Sequence, residues 1–418
     1  MIKVIERMRL ISVDSISDAV VELRRIGVDH YGVDVMAPKA LGRTIKLESV
    51  STPAANILKQ EMLSLGGDAA VARDVITGKV EASDVLLIGT LKQYKELTNK
   101  ISRQPFGLSK IAQELNDMLR SIETPSQYKL TCKEYTLDLG ARTQIMGVLN
   151  VTPDSFSDGG QFYQFERAVD RARHMVEEGA DIIDIGGEST RPGSDAISPD
   201  KELGRILPVV ERLVKELDVP ISVDTYRSTV AARLLEVGAH MVNDISGLNC
   251  DPEMGNVVRQ YDVPLILMHM KGRPKDMQVN PHYDDLISEI FSSLRKSVNT
   301  ALQAGVRSEN IIIDPGIGFG KTVEHNLEIL KRLREFSSMG YPVLVGASRK
   351  SFIGKILDLP VEERLEGSLA AVAVSILHGA HILRVHDVRP TVRMARLVDA
   401  IMRAHNGSNI PNLEMKTH

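Results

Sequence analysis

The feature that most restricts how this chain can fold is a rhythm: between Gln144 and His405, eight short apolar runs recur, each followed by a helical pattern. The runs read as strands over Gln144–Asn150, Asp181–Ile185, Ile221–Asp224, Met241–Asp244, Leu265–His269, Ile311–Asp314, Val343–Gly346 and Ile382–Val385. Between them, stretches such as FERAVDRARHMVEEG, STVAARLLEVG and EHNLEILKRLREF place apolar residues at three- and four-residue spacing, and several stop at glycine. About eight βα units in series predict an α/β chain built on a (β/α)8 TIM barrel rather than an open sheet.

A chain of 418 residues is longer than such a barrel needs, so a second domain is expected. Residues 1–122 alternate short apolar runs (IKVIERMRLISV, TIKLESV, ASDVLLIGTL) with amphipathic ones (ISDAVVELRRIG, PAANILKQEMLSLGG), which predicts a small N-terminal α/β domain. A polar, proline-bearing linker is read at 123–127, a barrel at 128–406 opening with a hairpin in YKLTCKEYTLDLG, and a tail at 407–418.

Lysine and arginine total 51 against 55 aspartates and glutamates, with no long basic run, so a nucleic-acid partner is not expected. The two cysteines, Cys132 and Cys250, are too few for a disulfide framework and fit a reducing compartment. The opening MIKVIERMRL is too charged for a signal peptide, and no run of eighteen apolar residues occurs, so a cytoplasmic protein with no membrane partner is expected.

Six polar residues, Asn150, Asp184, Asp224, Asn243, Asp314 and Arg384, fall at or just past the ends of apolar runs. In a barrel that is the C-terminal face, where active sites are built. The first βα loop, MGVLNVTPDSFSDGG, is long, polar and glycine-ended; the second, IDIGGESTRPGS, pairs glycines that admit a ligand with Arg191, a fork for an anion. Other patterns carry less. GIGFGKT at 316–322 imitates a phosphate-binding loop, but the first glycine of that motif would fall on Pro315. His378, His381 and His386 lack a cysteine or carboxylate constellation for zinc, and Met268, His269 and Met270 read as strand-end packing.

Both loops, followed in order by SVDTYR at 222–227, VNDISG at 242–247, IDPGIGFGK at 313–321, GASRKSFIG at 346–354 and RVHDV at 384–388, resemble the dihydropteroate synthase family across the whole barrel. Ile317 stands where that family often has phenylalanine, and the first 122 residues lie outside its usual pattern.

The resemblance implies that a 7,8-dihydropterin bearing a CH2-pyrophosphate condenses with p-aminobenzoate, releasing pyrophosphate, with Mg2+ as cofactor. It assigns Asn150 to the metal and, with Thr190, Arg191, Arg384 and His386, to pyrophosphate. It gives the pterin to Asp224, Asn243, Asp314, Lys350 and Phe319. It places Phe156, Asp158, Arg191, Pro192 and Lys350 at the reacting centre, and Phe156, Thr190, Pro192, Phe319 and Ser351 around p-aminobenzoate. A homodimer through late helices is implied by resemblance alone. Two alternatives stand beside this reading: a pterin-dependent methyltransferase, disfavoured because it needs no pyrophosphate grip, and a silent pterin-binding scaffold, disfavoured because the polar positions are all kept.

Overall fold

The computed structural model describes residues 8–123, 128–152, 161–189 and 194–404. The chain divides into two compact units, Met1–Thr124 and Pro125–His418.

In the first unit, β1 (Gly42–Ser51), β2 (Asp68–Val71) and β3 (Ala82–Thr90) form an antiparallel sheet in the order β1-β3-β2. Helices start where sequence chemistry allows: the Ser15 hydroxyl and Asp18 carboxylate form a capping box before Ile16–Ile26, and Pro53 opens Thr52–Ser64, where its missing N–H costs nothing. Leu58, Met62, Leu87, Tyr94 and Leu97 form a core of their own, and the Tyr94 hydroxyl is satisfied by the Leu87 and Arg43 carbonyls at 2.8 and 3.0 Å. One expectation is corrected here. Residues 8–13, the described part of the first run read as a strand, form none; the run carries Lys3, Glu6, Arg7 and Arg9, and all of 8–13 except the half-buried Val13 stand exposed.

The second unit opens with a hairpin of β4 (Lys129–Cys132) and β5 (Tyr135–Asp138), turning at Lys133 with φ of 55°. The barrel strands follow: β6 (Gln144–Asn150), β7 (Ile182–Gly186), β8 (Ile221–Asp224), β9 (Met241–Asp244), β10 (Leu265–Met268), β11 (Ile311–Asp314), β12 (Leu344–Val345) and β13 (Ile382–Val385). They are parallel in the order β11-β10-β9-β8-β7-β6-β13-β12, and a parallel bridge from Ile313 to Val343 closes the ring. The fold is a (β/α)8 barrel preceded by a small α/β unit.

Side-chain alternation then decides everything inside the ring. Outward positions such as Ile183, Val223, Val242, Leu267 and Ile313 join the large core beneath the helices. Inward, the lowest layer of Met146, Ile182, Met241, Ile266, Ile312, Leu344 and Ile382 is apolar and is plugged by Leu130, Cys132 and Leu139 of the hairpin segment. Two residues further along the same strands come Asp184, Asn243, Met268, Asp314, Gly346 and Arg384. The polar residues thus occupy one inward layer above a dry floor.

Because the two units have separate cores, a chain beginning at Tyr128 is expected to unfold in one cooperative transition. Circular dichroism during urea titration checks this, and a non-cooperative profile would show that the barrel depends on the first unit.

Candidate active site

Arg384, on β13, organises the inward layer. Its Nε donates to Asp184 Oδ2 at 2.6 Å, and a terminal guanidinium nitrogen donates to Asp224 Oδ2 at 2.7 Å. The Asn243 amide donates to the same Asp184 oxygen at 3.1 Å, while Asp184 Oδ1 is buried without a partner among the described residues. Burial alone would weaken the protonated guanidinium, but the two carboxylates outweigh it and hold its pKa above the ordinary value. Burial raises Asp224, and Arg384 opposes the shift.

Asp314 faces this group from β11. Burial pushes it up to about 6, against the opposing effects of the Gly316 N–H at 2.7 Å and the charges of Lys350, Lys321 and Arg384. Lys350 is held down to about 8, by burial first and then by Arg384, and its Nζ lies 4.1 Å from the centre of the Phe319 ring. Asp224, Asn243, Asp314, Lys350, Phe319 and Arg384 line one cavity, with Ile245, Met268, Ile317 and Gly346 as its other walls.

The glycine-rich loop after β11 reaches this position because two of its glycines lie hard against the 269–271 segment. A Cβ on Gly316 (φ 72°) would stand 1.9 Å from the His269 carbonyl oxygen, and one on Gly320 (φ 65°) 2.2 Å from that of Lys271.

Loops after the strands are cross-tied. Arg349 pairs with Asp387 at 2.9 and 2.5 Å, and the His386 N–H reaches Ser348 Oγ at 3.3 Å, joining GASRKSFIG to RVHDV. Burial, followed by Arg384, Arg349 and Lys350, holds His386 down to about 3, so it is neutral near pH 7. Arg227 reaches Glu188 at 2.7 Å and the Ile197 carbonyl at 2.8 Å and pairs with Glu202, fixing both flanks of the second loop.

Of the other residues expected at the site, Asn150 ends β6 half-buried, and Ser351 is exposed at the start of the helix Ser351–Leu357. Phe156, Asp158, Thr190, Arg191 and Pro192 lie outside the described residues. The sequence reading placed Asp184 at the rim without a role, and it missed the Arg349–Asp387 and Arg227 ties. Partners some 40 to 200 positions apart leave no local signal, although Asp184 shares its inward parity with its neighbours. His378 and His381 bond to the Leu330 carbonyl and the Val343 N–H at 2.8 and 3.1 Å, as structural groups.

A closed βα barrel whose mouth gathers carboxylates, an amide and cations around one cavity is a small-molecule enzyme of the α/β-barrel class. The chain belongs to the pterin binding enzyme family, whose profile matches residues 146–386. It is 49% identical to the dihydropteroate synthase of Bacillus subtilis over 278 residues, 66% of this chain and 95% of that protein. It is 43% identical to a probable bifunctional folylpolyglutamate synthase/dihydropteroate synthase of Halobacterium salinarum over 389 residues, 93% of this chain and 46% of that one. Among solved structures, Xanthomonas albilineans dihydropteroate synthase with 4-aminobenzoic acid superposes with a TM-score of 0.63 at 42% identity, over 66% of this chain and 99% of its own.

Arg384→Met is expected to cost about 3–5 kcal/mol, because it strands two buried carboxylates. The loss should be larger at pH 8 than at pH 5. Without the cation, the folded-state pKa of Asp224 lies still further above its unfolded value, so stability falls as pH rises through it. Urea unfolding at both values checks this; equal losses would mean that the guanidinium acts by packing alone.

Proposed function

We infer that this chain is a transferase of folate biosynthesis that joins a 7,8-dihydropterin CH2-pyrophosphate to p-aminobenzoate, giving dihydropteroate and pyrophosphate. The observation that carries this reading is the single cavity in which Asp314, Asn243, Asp224 and Lys350 converge beside Arg384.

The pterin's amino–amide edge donates paired hydrogen bonds, and the Asp314 carboxylate accepts them; Asp224, Asn243 and Lys350 meet the remaining ring nitrogens and the oxo group. Phe319 walls the ring, and with Ser351 it borders p-aminobenzoate. The amine nitrogen attacks the CH2 carbon, the C–O bond breaks, its electron pair leaves on pyrophosphate, and the amine releases a proton. Charge therefore develops on the leaving group, so its stabilisation matters more than a protein nucleophile. Arg384 faces that charge as a cation, and neutral His386 as an N–H donor. We assign Phe156, Asp158, Arg191 and Pro192 to closing over the methylene with Lys350, with Thr190 and Arg191 gripping pyrophosphate and Phe156, Thr190 and Pro192 bordering p-aminobenzoate.

Among the described residues no group of three histidine, cysteine or acidic side chains could hold a metal ion by itself. The half-buried Asn150 amide at the barrel mouth supplies one neutral oxygen, which suits Mg2+ arriving on phosphate oxygens rather than a resident ion. Bound there, Mg2+ would neutralise pyrophosphate charge.

We also propose a homodimer. Leu327, Ile356, Leu357, Val374 and their neighbours line an apolar groove among the late helices, and Ile356 is 50% exposed. No helix of the described residues is long and apolar enough to cross a membrane, and the placement we propose is the cytoplasm. Ile356→Glu is expected to yield monomers by light scattering while leaving pterin binding intact; an unchanged mass would remove this groove as the interface.

Asp314→Asn is expected to weaken binding of a dihydropterin lacking pyrophosphate by about 1–3 kcal/mol. Wild-type affinity should fall as pH drops through about 6, because protonated Asp314 no longer accepts both bonds. Asn150→Ala should bind that pterin nearly normally but lose turnover, since its contacts strengthen as charge develops, whereas Arg384→Ala, which also releases Asp224, should lose turnover and weaken pterin binding. Calorimetry and a pyrophosphate-release assay check the division, and turnover surviving in either alanine variant contradicts it.

A further inference from the structure

Lysine is among the side chains least tolerant of burial, yet Lys321 is 2% exposed and has no carboxylate at ion-pair distance among the described residues. Its three ammonium protons meet three acceptors: His269 Nδ1 at 2.9 Å, the His269 carbonyl at 3.4 Å and the Phe319 carbonyl at 3.0 Å. An ammonium only donates, so Nδ1 accepts and the neutral imidazole carries its proton on Nε2. Burial, with the charges of Lys321 and Lys271, holds His269 down to about 2, so it stays neutral throughout the working range.

Neither residue lines the cavity; both stand behind its wall. His269 follows β10, and Lys321 closes the glycine-rich loop that carries Phe319. The rest of that loop is also anchored. The Gly318 N–H donates to Asn326 Oδ1 at 2.7 Å, its carbonyl accepts from Gln278 at 2.6 Å, and the Gly320 carbonyl accepts from the Tyr283 hydroxyl at 2.8 Å. At Phe319 itself, the carbonyl is held by Lys321.

We propose that Lys321 is a positioning residue for both substrates: it clamps the Phe319 carbonyl to the end of β10, setting the ring beneath Lys350, and it supplies positive charge within electrostatic range of Asp314. This rests on the assignment of Asp314 to the pterin and of Phe319 to the ring-binding wall. The charges facing Asp314 are Lys350, Lys321 and Arg384; those facing Lys321 are Asp314 and Lys350, with neutral His269 in contact. Lys321 is held down to about 7, by burial first, and therefore keeps its proton where Asp314 titrates.

The test uses the full chain and two readouts: calorimetric affinity for the pyrophosphate-free dihydropterin from pH 5 to 8, and the KM for p-aminobenzoate at saturating pterin substrate. Lys321→Met is expected to move the acid midpoint of pterin affinity upward by about half a pH unit or more, because one of three cations is lost. Its KM for p-aminobenzoate should rise about tenfold, with kcat at saturation within about threefold of wild type. His269→Leu removes one anchor but leaves the charge, so KM should rise while the midpoint stays. His269→Asn, whose amide oxygen accepts in place of Nδ1, should restore KM.

A Lys321→Met protein that melts like wild type and keeps both midpoint and KM overturns the proposal. If that variant does not fold, the histidine pair decides: His269→Leu with wild-type KM overturns it, and a raised KM restored by His269→Asn supports it. Failure of Asp314→Asn to weaken pterin binding would instead overturn the underlying site assignment, so the two failures are distinguishable.

Discussion

Taking charge out of water is the constraint that this barrel has to satisfy, and the pairing of Arg384 with Asp184 and Asp224 is how it does so. Isolated buried carboxylates would neutralise or destabilise the fold. A shared guanidinium fork holds both of them, and the Asn243 amide adds a second contact to the Asp184 oxygen that Arg384 already occupies. These contacts hold the polar groups in place through protein partners alone, while Asp184 Oδ1 has no partner among the described residues and Asp224 lines the cavity. Pre-positioned polar groups of this kind select a ligand that can pair with them, because a mismatched one leaves them unmet.

Backbone geometry supplies the second half of that order. The loop after β11 can carry Phe319 to the cavity only because Gly316 and Gly320 admit positive φ and close approach to the 269–271 segment. The Arg349–Asp387 pair fixes two further loops to each other rather than to any ligand. Arginines in the same sequence neighbourhood as Lys350 and Arg384 thus do different work, and only their partners reveal which.

Much of this was legible in the sequence. The βα rhythm placed all eight barrel strands to within a residue or so at their ends, because parallel strands covered by helices outside and packed within are uniformly apolar and stand out. Asp224, Asn243, Asp314 and Arg384 could be picked out as polar interruptions of those runs. What stayed hidden was pairing at long range, such as Arg384 with Asp184, and the burial of Lys321 and His269 against each other, which as sequence looked like an imperfect phosphate loop and strand-end packing. In the first unit the four-residue strand Asp68–Val71 escaped notice for a different reason: DAAV is neither long nor β-branched enough to stand out from a loop.

The first unit has its own logic. The Bacillus subtilis enzyme matches over 66% of this chain, a span that the barrel alone can account for. The halobacterial bifunctional protein matches over 93%, which is longer than the barrel unit and so extends well into residues 8–123. That shared segment closes its own core around Tyr94 and Met62, and the described residues that line the cavity we assign to the pterin all belong to the second unit. The polar layer we assign to the pterin is built by the barrel strands and their loops from their own inward positions.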